Sequence, residues 1–293
     1  MKRIFYYTIP AEFDGKPLLY FLKAKKYSQP IITHLKRTFN GLLLNGSWAH
    51  AWDVLHTGDY LTVQLVENAS SENIVPVPMD LAIVYEDEDL LVINKAAGVA
   101  IHPSQGHYSN TLANALAYHY GSQGEAFTYR CINRLDRDTT GLLIVAKHMY
   151  SASLLSQMAA DHQLGRTYLA IASGEIPEEG MIDAPIARVN GSTIERCVDE
   201  ERGEPARTYF KKISYKDGYS LVQLRLETGR THQIRVHMKH IGHPLPGDFL
   251  YNPDYTRIHR QALHSFKLSF RHPITEEPMS FQAPIPEDMK AFL

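Results

Sequence analysis

The sequence predicts an α+β protein in two parts, a small first part over residues 1–75 and a larger second part over residues 76–293. Three observations predict it. After residue 80, strand-like runs outnumber helical ones. Two of those runs, Ala206 to Ser214 and Tyr219 to Glu227, are separated by Lys216-Asp217-Gly218, the turn chemistry of an antiparallel pair. Glu67 to Met79 (ENASSENIVPVPM) is polar and then Pro-interrupted, the best linker in the chain.

In the first part, Pro17 to Lys26 and Pro30 to Phe39 read as short helices. Leu18, Leu19 and Leu22 line one face of the first, and Ile31, Ile32 and Leu35 one face of the second. Leu42 to Leu44 reads as a strand entering an Asn45-Gly46 turn, and Gly58 to Leu65 alternates as a half-buried strand. From Lys16 to Arg37 there are six basic residues, and no acid stands between Asp14 and Asp53. Such a run is a solvated face or a site for a polyanion.

In the second part, Leu81 to Tyr85 and Leu90 to Asn94 read as strands around an acidic turn. A helix follows with Asn110 as its cap and Gly121 just past its end. Leu142 to Ala146 is a short apolar run, the mark of a buried strand, and a helix spans about Ser151 to Gln163. Arg166 to Ala172 alternates as a strand, and on period alone Tyr168 is a core residue. Residues 174–204 read as irregular or as short strands. A strand ends at Gly229 and a helix begins near Thr231, with Ile234 and Met238 on its core side. Strands near Gln261 to Phe270 and Met279 to Ala283 close the chain.

The chain has 293 residues, 44% hydrophobic and 21% charged, with a net charge of −2, which describes a soluble globular protein. Any nucleic-acid surface must therefore be a local patch. No apolar run approaches a membrane span. The first residues lack the apolar core of a signal peptide, so the expected location is cytoplasmic. Cys131 and Cys197 form no disulfide framework and no zinc pattern. Phosphate-binding, dinucleotide-binding and serine-hydrolase loops are absent from the sequence. His232, His237, His240 and His243 crowd one helix and its exit, but without the paired spacing of zinc hydrolases, so no metal is expected.

Two stretches are dense in polar residues. In Ile132 to Ala146, two Arg, two Asp, an Asn and two Thr sit on the lip of the buried strand. Asp136 lies between Arg134 and Arg137, and nearby cations favour a carboxylate anion. Such an Asp can act as nucleophile, base or metal ligand, or it can belong to a structural Arg–Asp turn. In Leu226 to Met238, a strand-to-helix elbow presents side chains and helix amides at a sheet edge.

Together these stretches resemble the RluA-type pseudouridine synthases from about Asp80 to Ile285. The motifs are NKAAGVAIHPS, INRLDRDTTGLLIVAK, RTYLAIASG and LETGRTHQIRVHMKHIGHPLPGD, in that order. Residues 1–75 resemble, more weakly, the αL-type RNA-binding module that often precedes this domain. The resemblance implies a large mixed, mostly antiparallel sheet flanked by helices. It implies isomerisation of uridine in ribosomal or transfer RNA, without cofactor, by a monomer. Asp136 would be the nucleophile, Tyr168 the residue stacking on the base and a candidate proton acceptor. Arg235 would pair with the aspartate, with Arg230 the second choice. Arg134 would hold the flipped-out nucleotide, and His232, Gln233 and Asn133 would contact the substrate. The chain departs from the family at Asn133, usually His, at Ala96, usually Pro, and at Arg166, often Lys. The rival functions are a non-catalytic RNA-binding factor and an N-glycosidic hydrolase.

Overall fold

The computed structural model describes every residue except Gln105 and His107. The first unit is a four-stranded antiparallel sheet with two helices on it. In chain order it runs β1 (Lys2–Thr8), α1 (Leu18–Ala24), α2 (Gln29–Arg37), β2 (Leu42–Leu44), β3 (Ser47–Trp48) and β4 (Tyr60–Val66). The strand order is β1-β4-β2-β3. Leu18 and Leu22 of α1 and Ile31, Ile32 and Leu35 of α2 are buried in one core with Leu61, Val63 and Leu65 of β4, while Leu19 is only partly buried at its edge.

The second unit begins with β5 (Ile83–Glu86), β6 (Leu90–Lys95), α3 (Leu112–Gly121), β7 (Thr140–Ala146) and α4 (Met149–Ala160). It continues with β8 (Gly165–Ser173), β9 (Glu179–Asp183), β10 (Ile186–Arg188), β11 (Arg196–Val198), β12 (Arg207–Lys216) and β13 (Tyr219–Leu226). It ends with α5 (Gln233–His240), β14 (Leu263–Arg271), β15 (Pro278–Gln282) and α6 (Glu287–Lys290). Nine of these strands form one sheet, in the order β5-β6-β7-β14-β8-β13-β12-β9 with β15 on β14. Every named pair in it is antiparallel except β7 with β14. This is the large, mostly antiparallel sheet that the resemblance implied.

The all-buried burial of β7 has a simple origin. Leu143 and Val145 face the core under α3 and α5, while Leu142, Ile144 and Ala146 face the core under α4. A strand covered on both faces reads as a continuous apolar run.

Two local readings need correction. The cap of α3 is Thr111 rather than Asn110: its hydroxyl accepts from the Asn114 amide, and the Asn114 side chain accepts from the Thr111 amide. Helix α5 starts at Gln233, because His232 adopts a left-handed backbone, φ 57°. Period alone cannot show either, since both depend on local hydrogen bonding.

The two units share a seam. Tyr150 and Leu154 of α4 belong to the core of the first unit. The Tyr150 ring stacks on Tyr27 at 4.0 Å, and its hydroxyl donates to the Lys25 carbonyl at 2.6 Å. Arg3 on β1 donates to both oxygens of buried Asp89, at 2.8 and 3.2 Å. His148 meets the same carboxylate at 2.8 Å.

Candidate active site

The loop between Cys131 and Thr139 delivers Asp136 to the edge of β7 and β14. Several bonds fasten it. The Ile132 amide donates to the Ile144 carbonyl, and the Asn133 carboxamide oxygen accepts from the Ile144 amide, both at 2.8 Å. From β6, the Lys95 ammonium donates to the carbonyls of Ala96, Val99 and Arg137 at 2.8, 2.8 and 2.7 Å. Its three acceptors match the three hydrogens of a charged ammonium. Burial nevertheless pulls the Lys95 pKa down to about 7, against the attraction of Asp138 and Asp136.

The Asp136 carboxylate accepts from Arg235 Nη1 at 2.9 Å. Arg235 comes from α5, and its side chain is 1% exposed. The other edge of its guanidinium is clamped by Asp248, with Nε to Oδ2 at 2.6 Å and Nη2 to Oδ1 at 2.8 Å. The fork thus grips Asp248 and reaches Asp136 with one remaining nitrogen. Burial opposes the Arg235 charge, but the two carboxylates outweigh it and raise its pKa. Asp248 also accepts from the amides of Leu250 and Tyr251. Its position relative to Arg235 had no signal in the sequence beyond an acidic residue closing the last motif.

Tyr168 sits on β8, opposite Ser265 of β14, and is 4% exposed. Burial raises its pKa, so it is a neutral phenol at neutral pH. It lines a narrow cavity of about 60 Å³ together with Asp136, Arg235 and Leu263. This cavity shares Arg134, Leu135, Asp136 and His232 with a larger cleft of about 790 Å³. Periodicity favoured Tyr168 as a core residue; it is both buried and at the site.

His232 borders both cavities, and its left-handed backbone points the ring back toward Asp136, with Nε2 3.9 Å from the carboxylate. Tyr251 accepts from the Arg196 amide at 2.9 Å and lies 3.0 Å from His232 Nδ1. That arrangement leaves the tyrosine hydrogen for Nδ1 and places the ring proton on Nε2, an assignment from the hydrogen-bond network. Burial pushes the His232 pKa down to about 4, so the ring is neutral.

The remaining sequence candidates divide. Arg134 is exposed at the mouth of both cavities. Arg230 lines the narrow one, but its guanidinium pairs with Glu204 and donates to the Pro205 carbonyl. Gln233 borders the same cavity with every polar position of its amide taken, by Thr228, the Arg230 amide, the Arg207 carbonyl and Thr208. It pins the loop rather than presenting a free group. Asn133 lines neither cavity, because its side chain turns back onto β7. Arg137, a sequence neighbour of Asp136, pairs with Asp138 instead, at 2.8 Å. The four clustered histidines disperse: His237 bonds Thr208 and the Ala184 carbonyl, and His243 the Ser173 carbonyl.

Among the described residues, one group of His and carboxylates is close enough to share an ion: Asp87, Asp89 and His272. It lies at the seam between the units. Arg3 and His148 occupy Asp89, while Tyr85, His272 and the amides of Asp89 and Leu90 occupy Asp87. These carboxylates are satisfied as a structural network.

Residues 89–240 match the family described as RNA pseudouridylate synthase. The chain is 44% identical to an uncharacterized RNA pseudouridine synthase of Bacillus subtilis, over 91% of this chain and 94% of that protein. It is 42% identical to ribosomal large subunit pseudouridine synthase D of Zymomonas mobilis, over 73% of this chain and 72% of that one. Among solved structures it resembles human RNA pseudouridylate synthase domain containing 1. The TM-score is 0.59 and the identity 29%, over 70% of this chain and 83% of that one.

Proposed function

The chain belongs to the RNA pseudouridylate synthase family, and from that premise we propose that Asp136, Arg235 and Tyr168 are its isomerising centre. The reaction detaches uracil from its sugar at N1, turns it, and rejoins it through C5. The ring loses a proton at C5 and gains one at N1, so no atom or electron is exchanged with a cofactor. What is needed is an oriented anion, a retaining pocket and a proton route.

The observation that carries the reading is the Asp136 carboxylate, fixed by Arg235 at the junction of a narrow cavity and a wide cleft. The anion bonds to the substrate or stabilises charge as the glycosidic bond breaks. Tyr168 is the floor against which the base stacks. As a neutral phenol it relays a proton by accepting one and handing on its own, rather than by acting as a phenolate. His232 offers a neutral Nε2–H beside the carboxylate. Arg134, free at the mouth, suits the phosphate or the space left by an extruded nucleotide, since a base inside a helix cannot reach such a pocket.

The substrate is proposed to be a uridine of ribosomal RNA, the class named for several relatives, with transfer RNA the alternative. Such RNA places the enzyme in the cytoplasm. No helix among the described residues is long and apolar enough to cross a membrane. Residues 1–75 are proposed to hold RNA, on the strength of the basic run from Lys16 to Arg37.

Asp136→Asn nearly preserves shape and removes the charge. It should keep folding and RNA binding while abolishing pseudouridine, read by chemical tagging of bulk RNA. Asp138→Asn should retain substantial activity. Turnover of Asp136→Asn near the wild-type rate would refute the assignment. Release of free uracil by the wild type would point to a hydrolase instead.

A further inference from the structure

The chain contains two tryptophans, and both stand on the surface of the first unit. They belong to the run Trp48-Ala49-His50-Ala51-Trp52, which starts on β3 and continues beyond it. Ala49 and Ala51 are buried, at 4% and 3% exposure, while Trp48 and Trp52 are 60% and 69% exposed. The strand ends at Trp48 and the chain then turns, the Asp53 amide donating to the His50 carbonyl at 3.0 Å, and across this turn the rings of Trp48, His50 and Trp52 lie together on the outer side. Their rings follow one another. Trp48 and His50 have centroids 4.9 Å apart at 44°, and His50 and Trp52 4.5 Å apart at 23°. Large apolar rings massed in the open mark an interaction site more often than a folding need.

The ladder is preformed. The Ala51 and Asp53 carbonyls accept from the Leu19 and Leu18 amides, each at 2.8 Å, and the His50 amide donates to Asp53 Oδ2 at 2.7 Å. These bonds lay the run against the start of α1. That helix turns Tyr20 and Lys23, one turn apart, out to solvent, and exposed Lys16 immediately precedes it. The six basic residues from Lys16 to Arg37 belong to this same unit.

We propose that Trp48, His50 and Trp52 form a stacking platform for unpaired nucleotides of RNA, with the neighbouring lysines facing the phosphates. Flat aromatic faces beside cations bind single strands because every base offers a π-face, whereas bases within a duplex offer none. The platform lies on the first unit, apart from Asp136, and so would hold a strand outside the target nucleotide. This inference rests on the RNA-modifying reading above.

The two tryptophans are the only ones in the chain, so tryptophan emission, excited selectively at the red edge where tyrosine does not absorb, reports on this site alone. The full-length protein is titrated with a single-stranded oligouridylate and with a blunt RNA duplex of equal length. The single strand should quench the fluorescence and the duplex should do so far less. Trp48→Ala and Trp52→Ala should each weaken the labelled single strand by about tenfold in anisotropy. Trp52→Phe should recover most of that loss. Turnover on a short saturating substrate should stay at the wild-type level in all three, and unfolding curves should show that each variant folds. Unchanged affinity in the double Ala variant, equal quenching by the duplex, or RNA binding without quenching would overturn the platform. If the wild type forms pseudouridine without such quenching, only the platform falls; if it forms none on any RNA, the synthase reading itself falls.

Discussion

Asp248→Asn is expected to loosen the fold and slow the reaction together, although Asp248 does not touch Asp136. Its two oxygens hold Arg235 Nε at 2.6 Å and Nη2 at 2.8 Å, and both side chains are almost fully buried, at 0% and 1% exposure. Asparagine has the same shape, but it replaces one acceptor with an amide whose hydrogens face those of the guanidinium. Breaking a buried ion pair from one side costs about 3–5 kcal/mol. One carbonyl oxygen remains and Asp136 still offers counter-charge, so the lower end, about 3 kcal/mol, is expected. The chemical effect follows from the same clamp, since a misplacement of about 1 Å can slow a reaction on the order of 100-fold. Urea unfolding and single-turnover pseudouridine formation read the two losses. Adding Arg235→Gln removes the stranded charge, so the double variant should lose less stability than the sum of the singles, by about 1 kcal/mol or more. Stability within about 0.5 kcal/mol of wild type, with an unchanged rate, would show that the clamp does not position Arg235.

Three further outcomes are expected. Gly141→Ala should destabilise by about 3 kcal/mol in urea unfolding, because Gly141 has φ 108° and an added Cβ would lie 2.2 Å from the Ser265 carbonyl oxygen, where β7 meets β14. Burial lowers the pKa values of His232 and His264 to about 4 each. The folded state therefore binds fewer protons than the unfolded chain between about pH 4 and 6.5. Stability from this source is full above pH 6.5 and falls on acidification toward 4; His232→Gln should shrink the fall between pH 7 and 4.5, and an undiminished fall would remove His232 from the account. Arg3→Ala should cost about 1–3 kcal/mol, since it leaves the buried Asp89 carboxylate with His148 as its hydrogen-bond partner and His272 only at 3.9 Å, while pseudouridine formation on a short saturating substrate should persist.

The seam bears on how residues 1–75 can be tested. Polar composition after Glu67 suggested a linker, yet Glu67 receives Arg130 and the Met149 amide, and Ser71 receives the Tyr129 amide. Deleting residues 1–75 would uncover Tyr150 and Leu154 as well as removing the basic run. Point variants on the surface of the first unit therefore separate RNA binding from stability better than truncation does. Composition reports how well a segment is solvated; it does not report which distant side chains it answers.

The sequence by itself determined what depends on neighbours in the chain. Alternation and the Lys216-Asp217-Gly218 turn specify β12 and β13, and the apolar run specifies β7, because strand period and turn geometry are local properties. The resemblance carried by the motif order named Asp136, Tyr168 and Arg235 as one set. Only the tertiary structure decided which cation meets Asp136. Arg137 lies next to it in sequence but turns to Asp138, whereas Arg235 arrives from 99 residues away with Asp248 behind it. It also decided that Gln233, polar and within the motif, spends its amide on scaffold backbone and threonine hydroxyls, and that the Asn133 carboxamide oxygen turns to the Ile144 amide. A buried charge takes the partner that the packed sheet and helix bring within 3 Å, and chain adjacency carries little information about that convergence.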